Sequence, residues 1–214
     1  MVPMVPQPFK DALFAVNRIV VRPNLWLSRA RLRSQKGRGQ LYVHLGCGDH
    51  YIEGMINCDG NFFRKVDQWL DLRLRLPFPD ASVVVAYTSH TLEHLYPEEA
   101  VRLLGEIRRI LRSDGVARVA VPDVGHFFKI AEGQAASGWP RRFDDPVGQA
   151  VNYLFCDGQH RYAYNLAILE TFARQAGFTD VRNISGEFGL APRPYGQLML
   201  GNEPEGTLVV ELRR

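Results

Sequence analysis

LYVHLGCGDHYIEGMINCD, residues 41–59, is the stretch that decides the fold. Residues 41–45 are apolar enough for a buried strand, and they run without a break into Gly46-Cys47-Gly48. Two glycines at a strand end let backbone pass close beneath a ligand, because neither presents a Cβ. Residues 55–58 read as a short second strand that ends on Asp59. Only 13 residues carry the chain from Gly46 to Asp59, too few for a full crossover helix. A dinucleotide fingerprint needs a third glycine near position 51, which is Tyr51, and an acid about 20 residues downstream. Pyrophosphate binding is therefore disfavoured.

Outward from this stretch, strand and helix patterns alternate. Residues 66–72 suggest a weak third strand, and residues 82–87 (SVVVAY) a strong fourth, suited to burial on both faces. Pro97, Glu98 and Glu99 open an amphipathic helix carrying Val101, Leu104, Ile107 and Leu111, which is expected to stop over 112–115 at Gly115. A fifth strand over 116–121 closes at Pro122-Asp123. Asn165 can cap a helix with Leu166, Leu169, Phe172 and Ala173 inward, ended by Gly177. Residues 179–184 and 207–212 supply two last strands. Such alternation implies an α/β fold with a mostly parallel sheet and helices on its faces. Ligands of such sheets bind at the carboxyl ends of the strands. The residues there are 44–48, Asp59, Asp71, 88–90 and Asp123, all polar or glycine-rich. A carboxylate after the second strand can accept ribose hydroxyls, and one after the third an adenine amine. Asp59 and Asp71 behind Gly46-Cys47-Gly48 therefore point to adenosine.

The chain's net charge of +3 over 214 residues hides an asymmetry. Residues 1–40 hold eight Lys and Arg against Asp11 alone, a charge of +7, which leaves −4 for the remainder. A slightly acidic body argues against nucleic acid as a partner. The polar segment SQKGRGQ at 34–40 divides a basic helical arm, 1–38, from a domain spanning 39–214. Phe9, Leu13, Val16 and Val20 form one apolar stripe along the arm. Residues 24–33 fit a second short helix, or a strand. The stripe suits docking on the body, a homodimer contact or peripheral contact with an anionic membrane. Cys47, Cys58 and Cys156 form no framework, and no basic leader precedes an apolar run, so a reducing cytoplasmic setting is expected. No apolar run approaches the roughly 18 residues of a spanning helix.

HLGCGDHYIEGMINCD, then DLRLRLPFPDASVVVAYTSHTLEHL, then LLGEIRRILRSDGVARVAVPD, resembles the class I S-adenosylmethionine-dependent methyltransferases. More narrowly, it resembles the small bacterial group of methyltransferase type 11 kind. HRYAYN at 160–165 and AGFTDV at 176–181 continue the likeness, which spans about 41–214. The resemblance implies a Rossmann-like sheet of seven strands, the last antiparallel, with S-adenosylmethionine over Gly46, Cys47 and Gly48. It implies Asp59 at the ribose, Asp71 and Leu72 at the adenine, and Ser89 and His90 on the floor near the methyl. His44 stands where the family has an acid, His50 where it has a third small residue, and the helix after the loop is missing or very short.

Methyl transfer to an oxygen or nitrogen of a small metabolite or glycan intermediate needs in-line approach and, for an oxygen, a base near neutrality. His94, His126 and His160 are the candidates, His160 foremost, with Asp123 orienting one of them or binding the acceptor. Residues 132–160 read as a flexible acceptor lid. A catalytically inactive cofactor-binding domain is the alternative. His90-Thr-Leu-Glu93-His94 also matches the inverted zinc-protease signature, which would make a metal hydrolase. The strand-to-helix turn is the favoured reading, with no metal.

Overall fold

The computed structural model describes residues 40–61, 63–187, 189–190 and 203–214, with the single positions 12, 15, 16, 19, 20 and 199. Seven strands make one sheet: β1 (Leu41–Leu45), β2 (Ile56–Asp59), β3 (Gln68–Trp69), β4 (Val83–Ser89), β5 (Leu111–Pro122), β6 (Asp180–Asn183) and β7 (Thr207–Arg213). Their order is β3-β2-β1-β4-β5-β7-β6. The first five run parallel, and β7 lies antiparallel between β5 and β6. The chain travels outward from β1 to β3 and then returns to β4, so the order reverses between β1 and β4. That is where an open α/β sheet forms its ligand crevice.

Four α-helices lie between strands wholly within the described residues: α1 (Pro97–Ile110), α2 (Val124–Ala131), α3 (Pro146–Phe155) and α4 (Leu166–Gln175). Pro97 opens α1, and the Glu99 carboxylate accepts the Tyr96 N–H. Its buried face is Ala100, Leu103, Leu104, Ile107 and Ile110, one step from the expected stripe, since Val101 is only half-buried. The helix also stops earlier than Gly115. Leu111 is already extended, because it pairs with Val83 while Val116 pairs with Val85. Residues 112–115 thus bulge within β5. A Cβ on Gly115 would sit 3.0 Å from the Val83 and Val84 carbonyl oxygens, which explains the glycine as close approach rather than as a helix stop.

The main core joins β1, β4, β5 and β7 to α1 and α4 through Val43, Leu45, Leu104, Ile107, Val119, Leu169, Ala173 and Val210. Arg109 fastens the LPFPD segment beneath it, donating to the Leu76 and Phe78 carbonyls and pairing with Asp80 and Glu106. The opposite face holds Ile52, Met55, Val85, Tyr87, Val116 and Met199. Strand β3 is shorter than the expected 66–72.

The 132–160 segment is no featureless lid, for α3 occupies residues 146–155. Pro146 and Gly148 look like breakers, but Pro146 takes the first helical position and Asp145 caps Gly148 N–H. In the arm, residues 12, 15, 16, 19 and 20 are helical and exposed. Phe9, Leu13 and residues 24–33 lie outside the described residues. No helix among the described residues is long and apolar enough to cross a membrane.

Candidate functional site

Gly46 and Gly48 both adopt positive φ, +73° and +51°. A Cβ on Gly46 would meet the Thr91 side chain at 2.3–3.1 Å, whereas one on Gly48 would enter open space. The first glycine thus permits packing against the segment after β4, and the second leaves a surface bare. The Gly46 and Cys47 N–H groups both donate to the Cys58 carbonyl, and Gly48 N–H donates to Asp59 Oδ2 at 2.9 Å. Asp59 Oδ1 accepts from Asn61 N–H at 2.7 Å. With its amides spent internally, the loop is no phosphate cradle. Burial, then the Asp59 charge, pushes the Cys47 thiol up to about 12, so Cys47 is no nucleophile.

No helix links β1 to β2 among the described residues, and buried Asn57 takes over its organising role. Its Oδ1 accepts Ile52 N–H, and its Nδ2 donates to the Ile52 and Met55 carbonyls and to Asp67. Asn57 Oδ1 also lies 3.3 Å from His44 Nδ1. The His44 ring is buried against Tyr87, 4.8 Å between centroids, and burial lowers its pKa to about 4 despite the Asn57 bond. His44 is a neutral packing group.

Residues 44–119 match the methyltransferase domain family. A SAM dependent methyltransferase from Archaeoglobus fulgidus superposes with a TM-score of 0.55 at 18% identity, covering 89% of this chain and 94% of that one. The complex of the Haloferax volcanii Trm112 methyltransferase activator and a methyltransferase contains a chain similar to this one. It gives a TM-score of 0.51 at 16% identity, covering 89% and 96%. The match to the methyltransferase domain family thus covers about a third of the chain, and the fold over most of its length is the one that these S-adenosylmethionine-dependent methyltransferases have.

S-adenosylmethionine, the cofactor of the methyltransferases that share this fold, fits the residues present. The space beside Gly48 is open, and the cofactor has no phosphate that would need the spent amides. Each Asp59 oxygen accepts one backbone N–H and keeps a lone pair for a hydroxyl donor. Asp71 is more committed. Its Oδ1 accepts the Arg73 N–H and Nε, and its Oδ2 accepts Nη2, with Leu72 buried alongside. Ser89 Oγ is buried at the end of β4 with no well-formed hydrogen bond among the described residues.

Beyond Ser89 the chain turns sharply. His90 has φ +49°, and the next element is a single 3-10 turn, Leu92–His94. The H-x-x-E-H run therefore does not place two histidines on one helix face. His90 Nδ1 lies 3.4 Å from Glu93 Oε1, and its Nε2 3.2 Å from Thr207 Oγ1, so both ring nitrogens are engaged. The contiguous zinc-hydrolase geometry is absent.

His94 and His160, 66 positions apart, come together, with ring centroids 5.1 Å apart and edge to face. The Glu93 carbonyl accepts the Arg161 and Tyr162 N–H groups at 2.6 and 3.2 Å, which holds the 160s against the turn. His94 Nδ1 faces the Gln159 carbonyl at 3.2 Å, and His160 Nδ1 the Leu154 carbonyl at 2.9 Å. A carbonyl only accepts, so Nδ1 carries a proton in both rings, and Nε2 is the nitrogen that each ring keeps for another partner. Burial lowers the His160 pKa, with His94 adding to it, while Glu93 and the Leu154 carbonyl work against it.

Asp123 and His126 stand apart from this pair. Asp123 caps α2 by accepting the Gly125 N–H on its carboxylate, and its carbonyl accepts the His126 backbone N–H, but no histidine ring hydrogen-bonds it among the described residues. His126 is buried against Tyr153 and over Gly206, whose Cβ would strike its ring. Sequence reasoning gave no role to Asn57, or to Arg118, a fully buried strand residue beside Glu211 and Glu203. The lone Asn within an apolar strand was the available signal for the first.

Proposed function

We propose that this protein transfers the methyl group of S-adenosylmethionine to an oxygen or nitrogen of a small metabolite or glycan intermediate. The observation that carries the reading is a pair of imidazoles 5.1 Å apart, His94 in the turn that follows Thr91, which packs on Gly46, and His160 brought against it from the far side of α3. The bound cofactor supplies an electrophilic methyl on a sulfonium, and this chain's residues arrange what surrounds it. Gly46, Cys47 and Gly48 give the bare backbone against which it lies, and Asp59 accepts its ribose hydroxyls. Leu72 flanks the adenine, with Asp71 fixing that loop through Arg73. Ser89 and the backbone of His90 form the floor at the switch point. On the acceptor side, a neutral imidazole takes the proton that an acceptor hydroxyl or ammonium must lose, and His160, the more buried, has the better-fixed ring. Asp123 shapes the acceptor side as the cap of α2.

Isothermal titration with S-adenosylhomocysteine tests the cofactor half. Binding is expected, weakened by Asp59→Ala and unchanged by His160→Ala, which slows turnover instead. No binding at millimolar concentration overturns the reading. A second reading, cofactor binding without catalysis, is favoured by one observation: His44, in the position of the family's acid, is buried and neutral. Binding without turnover across a broad panel of oxygen and nitrogen acceptors would select it.

A further inference from the structure

We infer that Glu93, His94 and His160 form a binding site for a divalent transition-metal ion of the zinc class, with at least one coordination position open to solvent. One ligand atom from each of the three lies within 4.8 Å of the others. A tetrahedral ion with bonds of about 2.1 Å needs its ligands about 3.4 Å apart, so only a small inward movement is required. His94, the most exposed of the three, has room to make it.

Three independent features support the assignment. Glu93 is buried, and among the described residues neither carboxylate oxygen accepts a well-formed hydrogen bond, although His90 Nδ1 faces Oε1 at 3.4 Å. A buried carboxylate in that state is costly unless a cation completes it. Both histidines anchor Nδ1–H on a backbone carbonyl, which fixes ring orientation and leaves Nε2 to ligate, the usual outer shell of a metal-bound imidazole. The graded burial, from Glu93 inside to His94 at the surface, gives an ion a path in. Two imidazoles and a carboxylate form a borderline donor set, suited to zinc rather than to magnesium or calcium. His90 is not part of the set, because both its ring nitrogens are engaged.

The ligand set does not depend on methyl transfer; only its placement beside an acceptor rests on that reading. An ion bound here occupies both Nε2 lone pairs, so metal binding and the proton-acceptor role are alternatives for the same atoms.

The test uses the full chain, stripped with chelator and titrated with Co2+. One equivalent is expected to bind, with the visible absorption of a low-coordinate centre, and Zn2+ displaces it. His94→Ala and His160→Ala each weaken Co2+ binding about 100-fold or more, while S-adenosylhomocysteine affinity and melting temperature hold. Should His160→Ala melt early, His160→Gln, whose amide can still donate to Leu154, replaces it. Three results overturn the site: no stoichiometric Co2+, binding indifferent to the His160 variants, or binding lost with His90→Ala but kept without His160. Co2+ binding through these residues in a chain that binds no S-adenosylhomocysteine would remove the methyltransferase reading and leave the metal site standing.

Discussion

The glycine loop after β1 and the 3-10 turn after β4 leave the same edge of the sheet, and Thr91 packs one against the other. They treat their polar groups in opposite ways. Around the loop, the Gly46, Cys47 and Gly48 amides, both ends of Asn57 and the Asp67 carboxylate are all paired within the chain. Around the turn, the buried Glu93 carboxylate accepts no well-formed hydrogen bond among the described residues, and two imidazoles anchored through Nδ1 stand beside it. A saturated loop offers a ligand shape and a few spare lone pairs. An unsaturated cluster offers bonds. Recognition of a large cofactor without phosphates suits the first, and coordination or proton transfer the second.

Substitutions can break this contrast, and Gly46→Ala is expected to have the largest effect. It forces a left-handed Ala against Thr91 and should cost about 3 kcal/mol by chemical denaturation. A loss under about 1 kcal/mol would mean that the loop is not packed as described. Next comes pH. His44 has its folded pKa depressed to about 4 from 6.5, so the folded state binds fewer protons than the unfolded chain. Stability is whole above pH 6.5 and falls as pH drops toward 4, by about 3 kcal/mol over that window. Melting curves of the wild type and His44→Asn should converge in acid, and parallel curves would show that His44 is not held neutral. Asp59→Ala removes the acceptor of two backbone amides and both proposed ribose contacts. It should raise the S-adenosylhomocysteine dissociation constant about 10- to 100-fold. The smallest stability effect belongs to Gly48→Ala, about 1 kcal/mol, because its Cβ meets nothing. That Cβ instead intrudes where the cofactor lies, so affinity falls while the melting temperature barely moves. Equal stability losses at Gly46 and Gly48 would erase the distinction between packing and binding glycines.

Much of the loop was legible in the sequence, because its signals are local. A strand running into Gly46-Cys47-Gly48, with Asp59 only 13 residues on, foretold both the bare backbone and the missing helix. The turn was less legible, because its geometry is not local. Sequence proximity groups His90 with Glu93 and His94, whereas folding engages His90 with Thr207 and brings in His160 from the far side of α3. The same limit hid Arg118, whose partners Glu203 and Glu211 arrive with β7 and the chain before it. Helix α3 was missed for another reason. Pro146 and Gly148 act as breakers in mid-helix, but in a first turn capped by Asp145 they are well placed.

The two N–H groups that hang from the Glu93 carbonyl have a use of their own. Arg161 and Tyr162 sit in a connecting segment, where amide protons ordinarily exchange quickly with solvent. Here their protection depends on the contact that brings His160 to Glu93. Their exchange rates are therefore a built-in gauge of whether this part of the molecule is assembled, readable in the free protein before any ligand is known.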